Sequence, residues 1–338
     1  MKLRVGLVGL GTNWEIRHRA ALRALSDRFE VRAVCAPVAH RAEVVAREFG
    51  AASVDGFRAV TEREDVDAVL VLSDQWYGTL PILAACDSGK SVYYAAALDL
   101  EAIQAREIKK RVEESGIAFV AELPCRLAPA TVRLKELIAT RLGKPRLLFC
   151  HQRIPAEGAG GKSPSQAGPP SRTHAMVELV DWCRFVVGGE PSSVIGLSHN
   201  SSSDAADRDY EWISLDFSGA EGPGTGPIAQ ISSGRYMPPY WPEAVTYRPP
   251  AALQVACEEG IAFIDLPSTL VWFDKAGRQM ESLESERPVG EQLLSHFHRS
   301  VTSLVRNMAG LEDTYKAMIV VQQARASHIE GRRMMLDL

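Results

Sequence analysis

The chain has 338 residues, 46% of them apolar, and a formal net charge of −4. That is apolar material for two buried cores, so two domains are expected. A weakly acidic chain without a basic stripe argues against nucleic acid as a partner, and no apolar run reaches the ~20 residues of a membrane span.

Residues 2–9 (KLRVGLVG) have the pattern of a buried parallel strand, followed by a glycine-rich turn and a helix over 14–25. Strands are predicted at 30–35, 51–54, 67–72, 91–94 and 117–121, and helices at 41–49, 80–86 and 100–115. Gly50 and Gly89 stand where helices end. Strict alternation of apolar strands and helices predicts a parallel sheet covered on both faces. The pattern changes near residue 145. Leu147, Phe149 and His151 alternate with Leu148 and Cys150. Ile213, Leu215 and Phe217 show the same period of two, as do Leu253, Val255 and Cys257, which predicts antiparallel strands with unlike faces. Helices are predicted at 173–187, 289–308 and 311–332, and loops at 156–171 and 219–227. The expected fold is α/β: a Rossmann domain over 1–123, then an α+β domain over 124–338 with an open, mostly antiparallel sheet.

Cys35, Cys86, Cys125, Cys150, Cys183 and Cys257 form no C-x-x-C pair, so free thiols are expected rather than a disulfide framework or a zinc site. No stretch has the length and cleavage pattern of a secretory signal, and the expected compartment is the cytoplasm.

The first turn reads Gly9-Leu10-Gly11-Thr12-Asn13-Trp14. In a strand–turn–helix context Gly9 permits the tight bend, and Gly11, Thr12 and Asn13 offer amides to a pyrophosphate at a helix start. Trp14 replaces the third glycine, so the indole has to push the helix outward or point away from the phosphates. The ribose-binding acid is missing from the end of the second strand, where Cys35-Ala36-Pro37 stands. Two readings stay open: a dinucleotide site, or glycines that only make the bend.

The segments RVGLVGLG, DVDAVLVLSD, GKSVYYAAALDL, RLAPATVRLKELI (with Arg126 and Pro129), VELVDWCRFVVG and EEGIAFIDLPSTLVWFDKAG follow one another in an order that resembles the glucose–fructose oxidoreductase, inositol dehydrogenase and rhizopine-catabolism (Gfo/Idh/MocA) family. The resemblance implies NAD or NADP on the first domain and a sugar or cyclitol in a cleft between the domains. It also implies subunits that meet through the second sheet as a homodimer or homotetramer. At the chemical positions the chain departs from the family. The Glu-Lys-Pro motif becomes Ala95-Ala96-Ala97, which removes the catalytic lysine. The pattern Asp-x-x-x-His-x-x-Asp becomes His174, Glu178 and Asp181, so the family's histidine is a glutamate and only Asp181 matches. Threonine-proline after the fourth strand is Ser73-Asp74, and a following histidine is Gly78.

His174, Glu178 and Asp181 share one helical face by their spacing. Acid–base chemistry, a metal site, or a plain hydrogen-bonded network each fit these residue types, and the pattern favours no metal. Tyr94 is a candidate proton donor in place of the lysine. Trp76 is a candidate for stacking on a sugar or a nicotinamide, and Arg126 and Asp181 are candidate substrate contacts. Arg153, Lys162, Arg172, His151 and the aromatic run from Arg235 to Trp241 are weaker candidates. With Trp14 and Ala36 in place, NAD(H) and NADP(H) are expected to bind weakly or not at all. Three functions follow: a family member with lost or altered redox chemistry that binds a small ligand, an active oxidoreductase with a rebuilt site, or a non-redox carbohydrate enzyme using Glu178 and His174.

Overall fold

Strand β1 (Leu3–Val8) lies at the centre of a six-stranded parallel sheet. β2 (Phe29–Cys35) and then β3 (Ala52–Ser53) flank it on one side. β4 (Ala68–Val71), β5 (Ser91–Tyr94) and β6 (Phe119–Ala121) follow on the other. The crossings are α1 (Arg19–Ala24), α2 (Ala39–Phe49), α3 (Phe57–Thr61), α4 (Leu80–Asp87) and α5 (Ala102–Ser115). Every residue of β4 is buried, as expected of a strand covered on both faces. The computed structural model describes residues 1–73, 77–95, 102–154, 172–200, 209–219, 222–236, 247, 250–303 and 309–338.

Two short helices, α6 (Pro124–Leu127) and α7 (Pro129–Leu137), lead to a nine-stranded sheet. Its strands are β7 (Pro145–Arg153), β8 (Ser193–His199), β9 (Tyr210–Asp216), β10 (Ile228–Gly234), β11 (Leu253–Cys257), β12 (Ile261–Asp265), β13 (Thr269–Asp274), β14 (Gly277–Ser282) and β15 (Met334–Met335). Their order is β14-β13-β12-β11-β7-β10-β9-β8-β15. The β10–β7 pair is parallel and the other pairs are antiparallel. Helix α8 (Arg172–Val187) lies between β7 and β8 in the chain, and α9 (Val289–Thr302) and α10 (Ala309–Glu330) come before β15. The inward residues Leu148, Leu215, Ile264 and Leu270 are fully buried. Close packing of α10 on the sheet needs Gly196, where a Cβ would come within 2.0 Å of the Ala324 carbonyl oxygen.

The chain divides into two units. The first holds Met1–Pro124, Ser165–His174 and Pro288–Lys316, and the second holds the rest. A single division after residue 123 assigns α9 to the second domain. The helix groups instead with the first unit, because Phe297 is fully buried with its ring 5.5 Å from that of Tyr93, and Gly290 sits against Arg17 and Ala21.

The first unit also encloses a charge. Glu122, just past β6, is 5% exposed. Its Oε2 lies 2.6 Å from His18 Nε2 and accepts the Tyr93 hydroxyl at 2.7 Å, while Oε1 accepts Arg17 Nη1. Burial alone would push this carboxyl up; His18, Arg17 and the Tyr93 hydroxyl outweigh it and hold the group at about 2. A folded value below the ordinary carboxylate value of 4.5 stabilises the fold above about pH 4.5, and that contribution fades as pH falls toward 2. We therefore expect Glu122→Gln to cost about 3–5 kcal/mol at neutral pH, the usual loss when a buried ion pair is broken from one side. Urea unfolding between pH 7 and pH 3 should show the gap to wild type narrowing below about pH 4.5, and a gap independent of pH would contradict the assignment.

Candidate functional site

The turn after β1 bends at Gly9, whose φ of 76° suits glycine and whose amide donates to the Cys35 carbonyl at 2.8 Å. Gly11 is pressed on the end of β4: a Cβ there would lie 2.3 Å from the Leu72 carbonyl oxygen. These contacts explain both glycines as parts of a tight β–α connection. They leave Thr12 exposed and Gly11 and Asn13 half-buried at the helix start. Among the described residues no backbone carbonyl accepts the amides of Gly11, Thr12 or Asn13. Free amides at a helix start suit a pyrophosphate, so this part of the turn fits a dinucleotide.

Trp14 does point away from that turn. Its indole is 1% exposed and lies edge-on to Phe49 with ring centroids 6.1 Å apart. Room is made by a widened first turn, Trp14–His18, in which the Asn13 carbonyl accepts the amides of both Arg17 (3.0 Å) and His18 (3.2 Å). The expected helix over 14–25 is thus a π-type turn followed by α1.

At the end of β2, Cys35 is 1% exposed and its Sγ lies 3.8 Å from the Tyr77 hydroxyl. Burial pushes the Cys35 thiol up, so it stays neutral. Tyr77 stacks edge-on against Phe57 at 5.1 Å.

Tyr94 ends β5. It is 1% exposed, tilted against Phe119, with its carbonyl accepting the Glu122 amide at 2.8 Å. Tyr93 is fully buried, and burial together with the Glu122 charge pushes its hydroxyl well up. Trp76, Ala96 and Ala97 lie outside the described residues.

In the second unit Arg126 and Asp181 meet. Nε and Nη2 of Arg126 donate to the two carboxylate oxygens of Asp181 at 2.6 and 2.5 Å, and the guanidinium lies over the Phe185 ring at 5.1 Å. Arg184 Nη1 adds a 3.3 Å bond to the same carboxylate and grips Glu190 with its other nitrogens. Lys135 Nζ caps the end of α8 through the carbonyls of Phe185 and Val186. His174 and Glu178 are half-buried, one turn apart on α8. The structure brings Arg126 to Asp181, two residues that the sequence marked separately. Of the weaker candidates, His151 bonds Ser232 Oγ at 2.8 Å and Arg153 bonds the Tyr247 carbonyl at 3.1 Å. Lys162 and residues 237–241 lie outside the described residues. Among the described residues no group of three or more His, Cys, Asp or Glu side chains is placed to hold a metal, and no helix is long and apolar enough to cross a membrane.

Arg17, His18 and Glu122 were missed as a cluster. Its signal was faint: an acid directly after an apolar strand, and a basic pair one turn into the first helix.

The fold is thus a Rossmann nucleotide-binding unit joined to a unit built on an open, mostly antiparallel sheet. Residues 3–122 match the model of the Gfo/Idh/MocA oxidoreductase family, NAD-binding Rossmann fold. It is similar to inositol 2-dehydrogenase of Cereibacter sphaeroides, 30% identical over 196 residues, or 56% of this chain and 55% of that one. It is also similar to 1,5-anhydro-D-fructose reductase of Ensifer adhaerens, 28% identical over 206 residues, or 59% and 60% of the two chains. Such matches span roughly half the length of these curated relatives. The crystal structure of aldose-aldose oxidoreductase from Caulobacter crescentus, complexed with glycerol, shares the fold with a TM-score of 0.81 at 16% identity, covering 99% of this chain and 100% of that one.

The Arg126–Asp181 pair generates a direct test. Asp181 is 1% exposed, so removing its charge takes away the bidentate anionic acceptor of the Arg126 guanidinium. We expect Asp181→Asn to cost about 3 kcal/mol, with a coupling to Arg126→Ala above about 1 kcal/mol in a double-mutant cycle of urea unfolding. Strict additivity would show that the two residues do not support one another.

Proposed function

We propose that this family member binds a sugar or cyclitol and holds a nicotinamide dinucleotide weakly, and that its alcohol–hydride chemistry is lost or altered. The observation that carries the reading is the run Tyr93–Ala97. A bound nicotinamide exchanges a hydride with the alcohol carbon, and the hydroxyl proton then needs a side chain to receive it. Here both tyrosines are buried, the Tyr93 hydroxyl is given to Glu122, and three alanines follow. Glu178 puts a carboxylate where the family resemblance implies an imidazole, and a carboxylate is ordinarily the weaker base for an alcohol. The missing third glycine and the missing ribose acid support weak cofactor binding.

A second reading is favoured by His174 and Glu178, half-buried one turn apart on α8, which is a spacing for acid–base work. Under that reading the site is rebuilt for redox or for non-redox carbohydrate chemistry. Both are tested by a panel of sugars and cyclitols with NAD+ and NADP+, following reduced cofactor and glycosidic cleavage for wild type, His174→Ala and Glu178→Gln. We expect wild-type oxidation to fall at least roughly a hundredfold short of an enzyme with its acid–base group. Any residual activity should disappear with His174 or Glu178. Robust oxidation that survives both substitutions would place the chemistry elsewhere.

Self-association belongs to the same proposal. Along β9, Ile213 and Leu215 face inward, and Trp212 lies on the opposite face with Ser214. Phe149, Leu197, Phe263, Phe273 and Met280 lie on that outer face too, with Leu197 56% and Met280 60% exposed. A sheet face this apolar suits a second copy of the chain, giving a homodimer or homotetramer. Sedimentation should show oligomers at micromolar concentration and a shift to monomer in Phe263→Glu; wild type running as monomer throughout would contradict it.

A further inference from the structure

We infer that Cys125, Cys150 and Cys183 form a site of reversible oxidation in the second unit, where hydrogen peroxide enters at Cys125 and the product is a disulfide between Cys150 and Cys183. The inference is independent of the proposed function and needs no bound sugar or dinucleotide.

The three cysteines are far apart in the sequence, and the fold of the second unit gathers them. Cys150 points inward from β7, between Ile231 of β10 and Leu253 of β11, and all three side chains are fully buried. Cys183 on α8 is fully buried as well, and its side chain shares a hydrogen bond with that of Cys150. Cys125 is brought in by a separate contact. Its neighbour Arg126 grips Asp181 through bonds of 2.6 and 2.5 Å, and Asp181 is two residues before Cys183, so α6 is fixed beside α8. The Cys125 sulfur is close enough to act electrostatically on Cys150. The remaining cysteines stand apart from this cluster: Cys35 faces Tyr77 at the end of β2, Cys86 lies in α4, and Cys257 ends β11.

A thiol sealed in a core is inert because no oxidant reaches it. Cys125 is only half-buried, so it gives the cluster a way in. Its thiol attacks a peroxide oxygen, the O–O bond breaks, and a sulfenic acid and one water result. The Cys150 sulfur then attacks the Cys125 sulfur; the S–O bond breaks, and the departing hydroxide takes the Cys150 proton as a second water. Cys183 attacks the Cys150 sulfur, breaking its bond to Cys125, and the Cys183 proton restores the Cys125 thiol. In sum two thiols give up two electrons and two protons, and one peroxide becomes two waters. The Cys150–Cys183 end point is favoured because these sulfurs are already in contact, so closing the bond needs little backbone movement. The bridge ties α8, the helix that carries His174, Glu178 and Asp181, to β7 in the core of the sheet.

The experiment exposes the full chain to hydrogen peroxide, blocks the surviving thiols in denaturant, and maps disulfides by mass spectrometry of unreduced peptides. We expect two of the six thiols to be lost, a peptide pair joined through Cys150 and Cys183, and recovery of all six with dithiothreitol. The melting temperature should rise on oxidation and fall back on reduction, since the bridge closes a loop of the unfolded chain. Cys125→Ser, a change at a half-buried position, should stay unbridged at the same exposure, and Cys257→Ser should bridge as wild type does. Cys150→Ala, checked by melting before oxidation, should form no bridge and collect sulfenic or sulfinic acid on Cys125. Survival of all six thiols in the wild type, oxidation confined to Cys125, a bridge that includes any other cysteine, or a bridge that forms equally fast in Cys125→Ser would each overturn the inference.

Discussion

A single buried carboxylate organises the amino-terminal unit. Glu122 sits past the last strand of the parallel sheet and accepts hydrogen bonds from Arg17, from Tyr93 and from the His18 ring, residues separated from it by 29 to 105 positions. Isolated, such a charge would cost several kcal/mol to bury; surrounded by a guanidinium, an imidazole and a hydroxyl, it ties three elements together. Arg17 and His18 also donate their amides to the Asn13 carbonyl, so the side chains that clamp Glu122 belong to the widened turn that follows the glycines.

This arrangement explains what the sequence could and could not reveal. The strands of the first unit were legible because they are apolar on both faces, and β4 is buried at every residue. The alternating strands of the second sheet were legible for the opposite reason: Ile213 and Leu215 are buried while Trp212 and Ser214 are half-exposed. The Glu122 cluster was not legible, since its partners are far apart in the chain and no local pattern links them. The grouping of α9 with the first unit was hidden in the same way, because it follows from Phe297 meeting Tyr93 across about 200 residues. Trp14 posed a choice that sequence alone left open, and a widened turn resolves it by taking the indole into the core.

The candidate site divides along similar lines. Arg126 and Asp181 were recognisable by residue type, but the bidentate bond between them comes only from how α6 and α8 pack. The tight β–α turn is dictated by backbone geometry, through Gly9 and Gly11. At the positions that the family resemblance marks for alcohol chemistry, the sequence has Ala96, with no titratable group, and Glu178, with a carboxylate. Fold and reactive side chains are separable in this way, because a fold is set by backbone and core packing and a chemistry by the side chains placed on it.

On the proposed function, a group able to take the hydroxyl proton is missing. The most direct measurement restores that group. Wild type and Ala96→Lys, alone and combined with Glu178→His, would be compared for reduced-cofactor formation on one sugar and cyclitol panel. The wild type is expected to be silent and the lysine variant active, with activity rising further in the double variant toward the roughly hundred- to ten-thousandfold that an acid–base group supplies. Wild-type turnover that equals or exceeds that of both variants would contradict it.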